Sequence, residues 1–118
     1  MKKNKIKKYT IKDSTSIRDA IHKMDINNLN FLIILNDKNK ITGIFTLGDF
    51  RRIVLSGVDI NERVYKYQNK KFYFVKEKTS KKKILSYFNR TIVHFLPVVK
   101  NKNLIGINFR SYFFKKDK

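Results

Sequence analysis

The 118-residue chain contains one unit written twice, at an offset of 64 residues, and internal self-similarity of this kind restricts the fold more than any local pattern does. Tyr9-Thr10-Ile11-Lys12-Asp13-Ser14-Thr15-Ser16 lies over Tyr73-Phe74-Val75-Lys76-Glu77-Lys78-Thr79-Ser80, with four identities and two close replacements. The register continues through Phe31-Leu32-Ile33-Ile34-Leu35 over Phe95-Leu96-Pro97-Val98-Val99 and Lys38-Asn39 over Lys102-Asn103. One residue is then lost, and Ile41-Thr42-Gly43-Ile44 meets Leu104-Ile105-Gly106-Ile107. Neither copy is long enough to bury a comfortable core alone, so two copies packed about a pseudo-two-fold axis, with a cleft between them, are expected.

Each copy reads as strand, helix, strand, strand, helix, which makes the fold class α+β. Tyr9 to Lys12 is a short extended segment, and Ser16 with Asp19 three residues on fits a capping box. Ile17, Ala20, Ile21 and Met24 recur at helical spacing. Phe31 to Leu35 is apolar without alternation, as in a strand buried on both faces. Asn36 to Lys40 is turn chemistry, Ile41 to Thr46 the return strand, and a second helix is expected from about Asp49 to Ser56, ended by Gly57 in the left-handed conformation. The second copy repeats this with a strand at Phe72 to Val75, a helix from about Lys81 to Asn89, strands near Phe95 to Val99 and Leu104 to Asn108, and a last segment from Phe109. The expected organisation is a basic tail over 1–8, a first repeat with the start of a connector over 9–64, a second repeat over 65–110, and an aromatic and basic tail over 111–118.

Composition then bears on function. Lys and Arg number 28 against 9 Asp and Glu, a formal charge of +19. Residues 1–8, 9–64 and 65–118 carry +5, +1 and +13, so the excess sits in the tail and the second half. A basic half of this kind raises nucleic acid as an alternative partner. Lys81-Lys82-Lys83 at a helix start points the same way, since cations there oppose the helix dipole. Against it, 22 of the 28 basic residues are Lys, whereas Arg is the residue suited to bidentate phosphate and base recognition. With no cysteine there is no disulfide, thiolate metal site or thiol nucleophile. The longest apolar run is five residues, far from a membrane span, and a cytoplasmic protein without membrane contact is expected. His22 and His94 have no nucleophile or metal-ligand pattern beside them, the carboxylates are scattered, and no catalytic or metal residue is assigned.

The sharpest local motif is Gly43-Ile44-Phe45-Thr46-Leu47-Gly48-Asp49-Phe50-Arg51-Arg52, a Gly-x-x-Thr-x-x-Asp pattern where a strand meets a helix. A helix N-terminus offers amides to an anion, Thr46 adds a hydroxyl, and Asp49 can accept from a vicinal diol such as ribose, a combination suited to a nucleotide. The same residues also read as plain structure: Thr46 and Asp49 as caps, Gly48 as a turn.

The twofold unit, this motif in one copy and Phe95-Leu96-Pro97-Val98-Val99 in the other resemble the cystathionine-β-synthase (CBS) domain pair, or Bateman module, over residues 9 to about 110. The resemblance implies a regulatory module that binds an adenosine nucleotide (AMP, ADP or ATP) between its copies. It places the ribose on Asp49, the phosphate on Thr46 beside Gly48, and the base against the strand starts near Ile11 and Phe31. It also implies a homodimer. The segment Gly43 to Arg52 with Gly57 is similar to the versions joined to sugar-phosphate nucleotidyltransferases and arabinose-5-phosphate isomerases, with Leu47 replacing the first Asp of their Thr-Asp-Gly-Asp run. Gln68-Asn69-Lys70-Lys71 resembles the connector of the nucleotidyltransferase-linked pairs, which favours a nucleotidyltransferase domain as partner. In the second copy Phe109 and Tyr112 replace Thr46 and Asp49, so that site is expected to be lost, and Tyr112, Phe113 and Phe114 are expected to cover apolar surface or a dimer contact.

Overall fold

The computed structural model describes residues 3–114, and residues 115–118 of the expected basic tail lie outside them. Within residues 1–8 it forms a short helix, α1 (Lys3–Lys7). The elements that follow are β1 (Thr10–Lys12), α2 (Ile17–Ile26), β2 (Phe31–Leu35), β3 (Ile41–Thr46), α3 (Leu47–Leu55), β4 (Val75–Lys76), α4 (Lys81–Arg90), β5 (Phe95–Lys100), β6 (Asn103–Phe109) and α5 (Arg110–Phe113). Each copy builds one three-stranded sheet, ordered β1-β2-β3 and β4-β5-β6, whose first pair is parallel and second antiparallel. Two compact units result, one spanning Lys7–Phe72 and the other residues 73–114 with residues 3–6.

The duplication extends to individual hydrogen bonds. Ser16 Oγ accepts the Asp19 amide at 3.1 Å, and Ser80 Oγ the Lys83 amide at 3.2 Å. The Asp13 and Glu77 amides donate to the Leu35 and Val99 carbonyls, both at 2.8 Å. Each antiparallel pair has its register break at the same place, Ile34/Leu35 in one and Val98/Val99 in the other. The missing residue shows up as a change of turn. The first hairpin pairs Leu35 with Ile41 across five residues, whereas the second adds a Lys100–Asn103 pair around two residues, Asn101 and Lys102, both at positive φ (52° and 67°). Two consecutive positive φ values are what a tight type I′ turn demands.

One strand is shorter in the second copy, and the cause is a single residue. The Ile33 amide donates to the Tyr9 carbonyl at 2.7 Å, holding the start of β1. Pro97 stands at the equivalent place and has no amide to give. Parallel pairing therefore starts only at Val75↔Val98, and β4 covers Val75–Lys76 instead of the expected Phe72 to Val75.

In the first unit the core is Ile11, Ile17, Ala20, Met24, Leu32, Ile34, Phe45, Ile53 and Val64. The α2 stripe and one face of the sheet thus meet as their periods require. The other face is covered as well, since Phe31 and Ile33 are also buried, and four consecutive buried positions of β2 explain its unbroken apolar run. The connector belongs to this unit. The carbonyls of Glu62 and Ile60 accept the Ile17 and Arg18 amides, both at 2.9 Å, so the chain after α3 returns to cap the start of α2. Gly57 ends α3 at φ +73°, with its amide on Val54 O and the Val58 amide on Ile53 O, the paired bonds of a Schellman motif. The second unit has the smaller core, Val75, Ile84, Phe88 and Leu96, with the Phe113 ring 5.4 Å from that of Phe88.

Candidate functional site

The first-copy motif sits where β3 runs directly into α3. The helix starts at Leu47, two residues before the expected Asp49, because Thr46 in extended conformation (φ −120°, ψ 166°) is itself the cap. Thr46 Oγ accepts the Asp49 amide at 3.1 Å, and Asp49 Oδ2 accepts the Thr46 amide at 2.9 Å and its hydroxyl at 3.0 Å. This is a complete reciprocal capping box. At Ser16–Asp19 the serine half of that arrangement is present. The Leu47 amide goes to Asn30 O at 3.1 Å, while the Gly48 amide has no acceptor among the described residues. The remaining Asp49 oxygen, Oδ1, receives Arg52 Nη2 at 2.6 Å.

Phe31 is brought to this site and Ile11 is not. In the β2–β3 register Phe31 stands opposite Thr46, so the two share a sheet face. The Phe31 ring is stacked on Tyr9, with centroids 5.7 Å apart and planes within 9°. Ile11 pairs with Ile34, three residues along β2 from Phe31, and therefore lies on the opposite face, inside the core. Thr46, Gly48, Asp49 and Phe31 thus form one locality, with Tyr9 as an aromatic neighbour that the sequence pattern did not single out.

Gly43, the first residue of the motif, has a different task. A Cβ there would stand 2.6 Å from Gln68 Oε1 and 2.9 Å from Asn69 O. The connector is laid against β3 at this point: Ile44 and Asn69 exchange backbone bonds at 3.0 and 2.8 Å, and the Thr42 hydroxyl donates to Gln68 Oε1 at 3.0 Å. Beside this run, Glu62 accepts from Tyr67 at 2.5 Å and pairs with Lys66 at 3.3 Å. The hydrogen bond from Tyr67, aided by Lys66, lowers the Glu62 pKa, and the same bond raises that of Tyr67.

The second copy has lost this chemistry in three dimensions as in sequence. Phe109 and Tyr112, at the places of Thr46 and Asp49, form an edge-on aromatic pair with centroids 5.8 Å apart. Arg110 turns its guanidinium to the carbonyls of Phe88 and Thr91 at 2.6 and 3.2 Å and lies 4.7 Å from the Phe114 ring. No hydroxyl–carboxylate pair exists there. No helix among the described residues is long and apolar enough to cross a membrane.

Two mixed three-stranded sheets with helices, built from a tandem repeat with one strand-to-helix hydroxyl–carboxylate motif, define a duplicated α+β architecture. The CBS domain model matches residues 1–56 and 64–107, and the chain belongs to the CBS domain family as a tandem pair, or Bateman module. Arabinose 5-phosphate isomerase of Escherichia coli K12 is 40% identical over 52 residues, 44% of this chain and 16% of the isomerase. An uncharacterised 17.7 kDa protein of Acidianus ambivalens is 31% identical over 102 residues, 86% of this chain and 62% of that protein. The chain therefore spans about a sixth of the isomerase's length and under two thirds of the Acidianus protein. Among solved structures, a CBS domain protein from Pyrobaculum aerophilum complexed with AMP superposes with a TM-score of 0.77 at 14% identity, covering 91% of this chain and 83% of that one. A protein described as putative acetoin utilization protein from Vibrio cholerae superposes at 0.81 and 22% identity, covering 89% and 78%. These two likenesses speak for the fold. The enzyme named among these relatives is an isomerase, which revises the expected nucleotidyltransferase association.

Proposed function

We propose that this CBS pair is a non-catalytic regulatory module that binds an adenosine nucleotide through its first repeat. Asp49 accepts the ribose hydroxyls, Thr46 and the Gly48 amide meet the phosphate, and Phe31, on the sheet face of Thr46, stands nearest the base. The observation that carries this reading is the asymmetry between the copies: a hydroxyl and a carboxylate meet at a helix N-terminus in the first, and an aromatic pair fills those positions in the second. The AMP complex of the Pyrobaculum protein supports the ligand class.

Binding to the folded state alone raises the melting temperature. AMP, ADP or ATP at millimolar concentration should do so for the wild type and leave Asp49→Ala, measured against its own baseline, unmoved. Unchanged melting with all three nucleotides would refute the reading. The module acts as a homodimer, which sedimentation velocity tests, and its enzymatic partner is a sugar-phosphate isomerase in preference to a nucleotidyltransferase. A second reading, nucleic-acid binding, draws on the exposed Lys81, Lys82 and Lys83 in a first turn of α4 that contains no acid. Electrophoretic titration at two salt concentrations decides it, because a lysine–phosphate interface weakens steeply with salt.

A further inference from the structure

The ligand locality holds one cation that the nucleotide motif does not require. Both Asp49 oxygens are engaged before any ligand arrives: Oδ2 by the amide and hydroxyl of Thr46, Oδ1 by Arg52 Nη2 at 2.6 Å. A diol seeking this carboxylate meets the oxygen that Arg52 covers. The partners differ sharply in exposure, 71% for the Arg52 side chain and 13% for that of Asp49. A guanidinium so exposed is held by a weak, salt-screened pair and can leave without stranding a buried charge of its own. A Cβ at Gly48 would lie in ordinary van der Waals contact with the guanidinium, 3.7 Å from both Nη1 and Nη2. The guanidinium therefore lies over the first turn of α3, beside Gly48.

We propose that Arg52 is a displaceable counter-ion that makes the first-repeat site select a phosphorylated nucleoside over the free nucleoside. The inference rests on the nucleotide reading above. An entering diol takes Asp49 Oδ1 and releases the guanidinium beside a helix N-terminus. A nucleoside breaks the ion pair and leaves Arg52 to water. A nucleotide supplies a replacement anion where the helix dipole also favours negative charge, and a guanidinium–phosphate bond is among the stronger hydrogen bonds available. Arg52 thus opposes the diol alone and rewards the diol joined to a phosphate.

Calorimetric titration of the whole chain with adenosine and with AMP tests this, comparing wild type with Arg52→Met and Arg52→Lys. The methionine keeps the apolar stem without the charge, and the lysine keeps the charge without the fork. In Arg52→Met the preference for AMP over adenosine should fall about tenfold, the loss of one charge-assisted bond. AMP should weaken while adenosine binds equally well or tighter, and Arg52→Lys should fall between the two. Wild type and Arg52→Met binding both ligands with the same ratio would overturn the role of Arg52 and leave the nucleotide reading standing. A wild type that binds neither overturns both.

Discussion

Gly43 and Gly106 occupy equivalent places in the two repeats, and alanine should be costly at one and harmless at the other. At Gly43 the added methyl would stand 2.6 Å from Gln68 Oε1 and 2.9 Å from the Asn69 carbonyl oxygen. The second of these is backbone, so relief requires lifting the connector off β3. That opens the Ile44–Asn69 bonds at 3.0 and 2.8 Å and strains the Thr42–Gln68 contact. At about 1 kcal/mol net per hydrogen bond, the loss comes to about 2–3 kcal/mol. At Gly106 the nearest atoms are the Val98 side chain at 3.7 and 3.8 Å, ordinary van der Waals contact. There alanine instead restricts the unfolded chain and should shift stability by no more than about 0.5–1 kcal/mol, in the stabilising direction. Thermal unfolding followed by circular dichroism reads both, with about 4 °C per kcal/mol for a chain of this size. Gly43→Ala should melt about 8–12 °C lower and Gly106→Ala at or slightly above the wild type. Equal shifts for the two variants would refute the assignment of Gly43 to connector docking.

Gly57→Ala isolates backbone strain, because no atom lies within 4 Å of the added Cβ while φ is +73°. It should cost about 1 kcal/mol in urea unfolding, and Gly57→Asn less. Lys102→Gly should stabilise the second hairpin by up to about 1 kcal/mol in the same assay, since Lys102 is held at φ 67°. The Glu62–Tyr67 bond should appear in the pH dependence. Glu62 has its folded pKa lowered, so its contribution is present above the unfolded value and lost as pH falls through the folded one. Tyr67 has its pKa raised, so its contribution is lost as pH rises through that value. Tyr67→Phe should flatten both limbs of a melting-temperature profile, and a profile unchanged by it would contradict the linkage.

The repeat was legible because both copies use the same local chemistry at the same offset. Ser16 and Ser80 cap, Gly57 terminates, and the one-residue gap after Asn39 becomes a shorter turn. Three features were hidden. Pro97 reads in sequence as another apolar strand residue, and its missing amide matters only once its parallel partner is known. Gly43 and Gly106 are identical in sequence, and only the approach of Gln68 and Asn69 separates them. Ile11 and Phe31 both lie near the starts of strands and look equivalent, yet the β1–β2 register puts Ile34 rather than Phe31 beside Ile11 and so turns the two to opposite faces. Each of these depends on a contact between segments distant in sequence, which composition and periodicity do not encode.

The geometry shows Thr46 and Asp49 as a cap, and the ligand role proposed for them draws on the same arrangement. A reciprocal box uses Asp49 Oδ2 for the Thr46 amide and hydroxyl, and this fixes the carboxylate with Oδ1 turned outward to Arg52. A side chain pre-set in this way would lose little entropy on the proposed replacement of Arg52 by a ligand. The second copy shows the converse: with Phe109 as cap, no side-chain bond closes the start of α5, which runs for only four residues. With Phe109 and Tyr112 in place of the threonine and the aspartate, the second copy has neither the side-chain cap nor the hydroxyl–carboxylate pair. The cap and the proposed ligand role thus fall on the same two residues, and Asp49→Asn separates them. The amide oxygen can still accept from the Thr46 amide, so the cap should survive with about 1 kcal/mol lost. The negative charge that holds Arg52 and would hold a diol is gone, so any nucleotide-induced rise in melting temperature should vanish. A variant that loses this stability yet keeps its nucleotide response would show that Asp49 is a cap and nothing more.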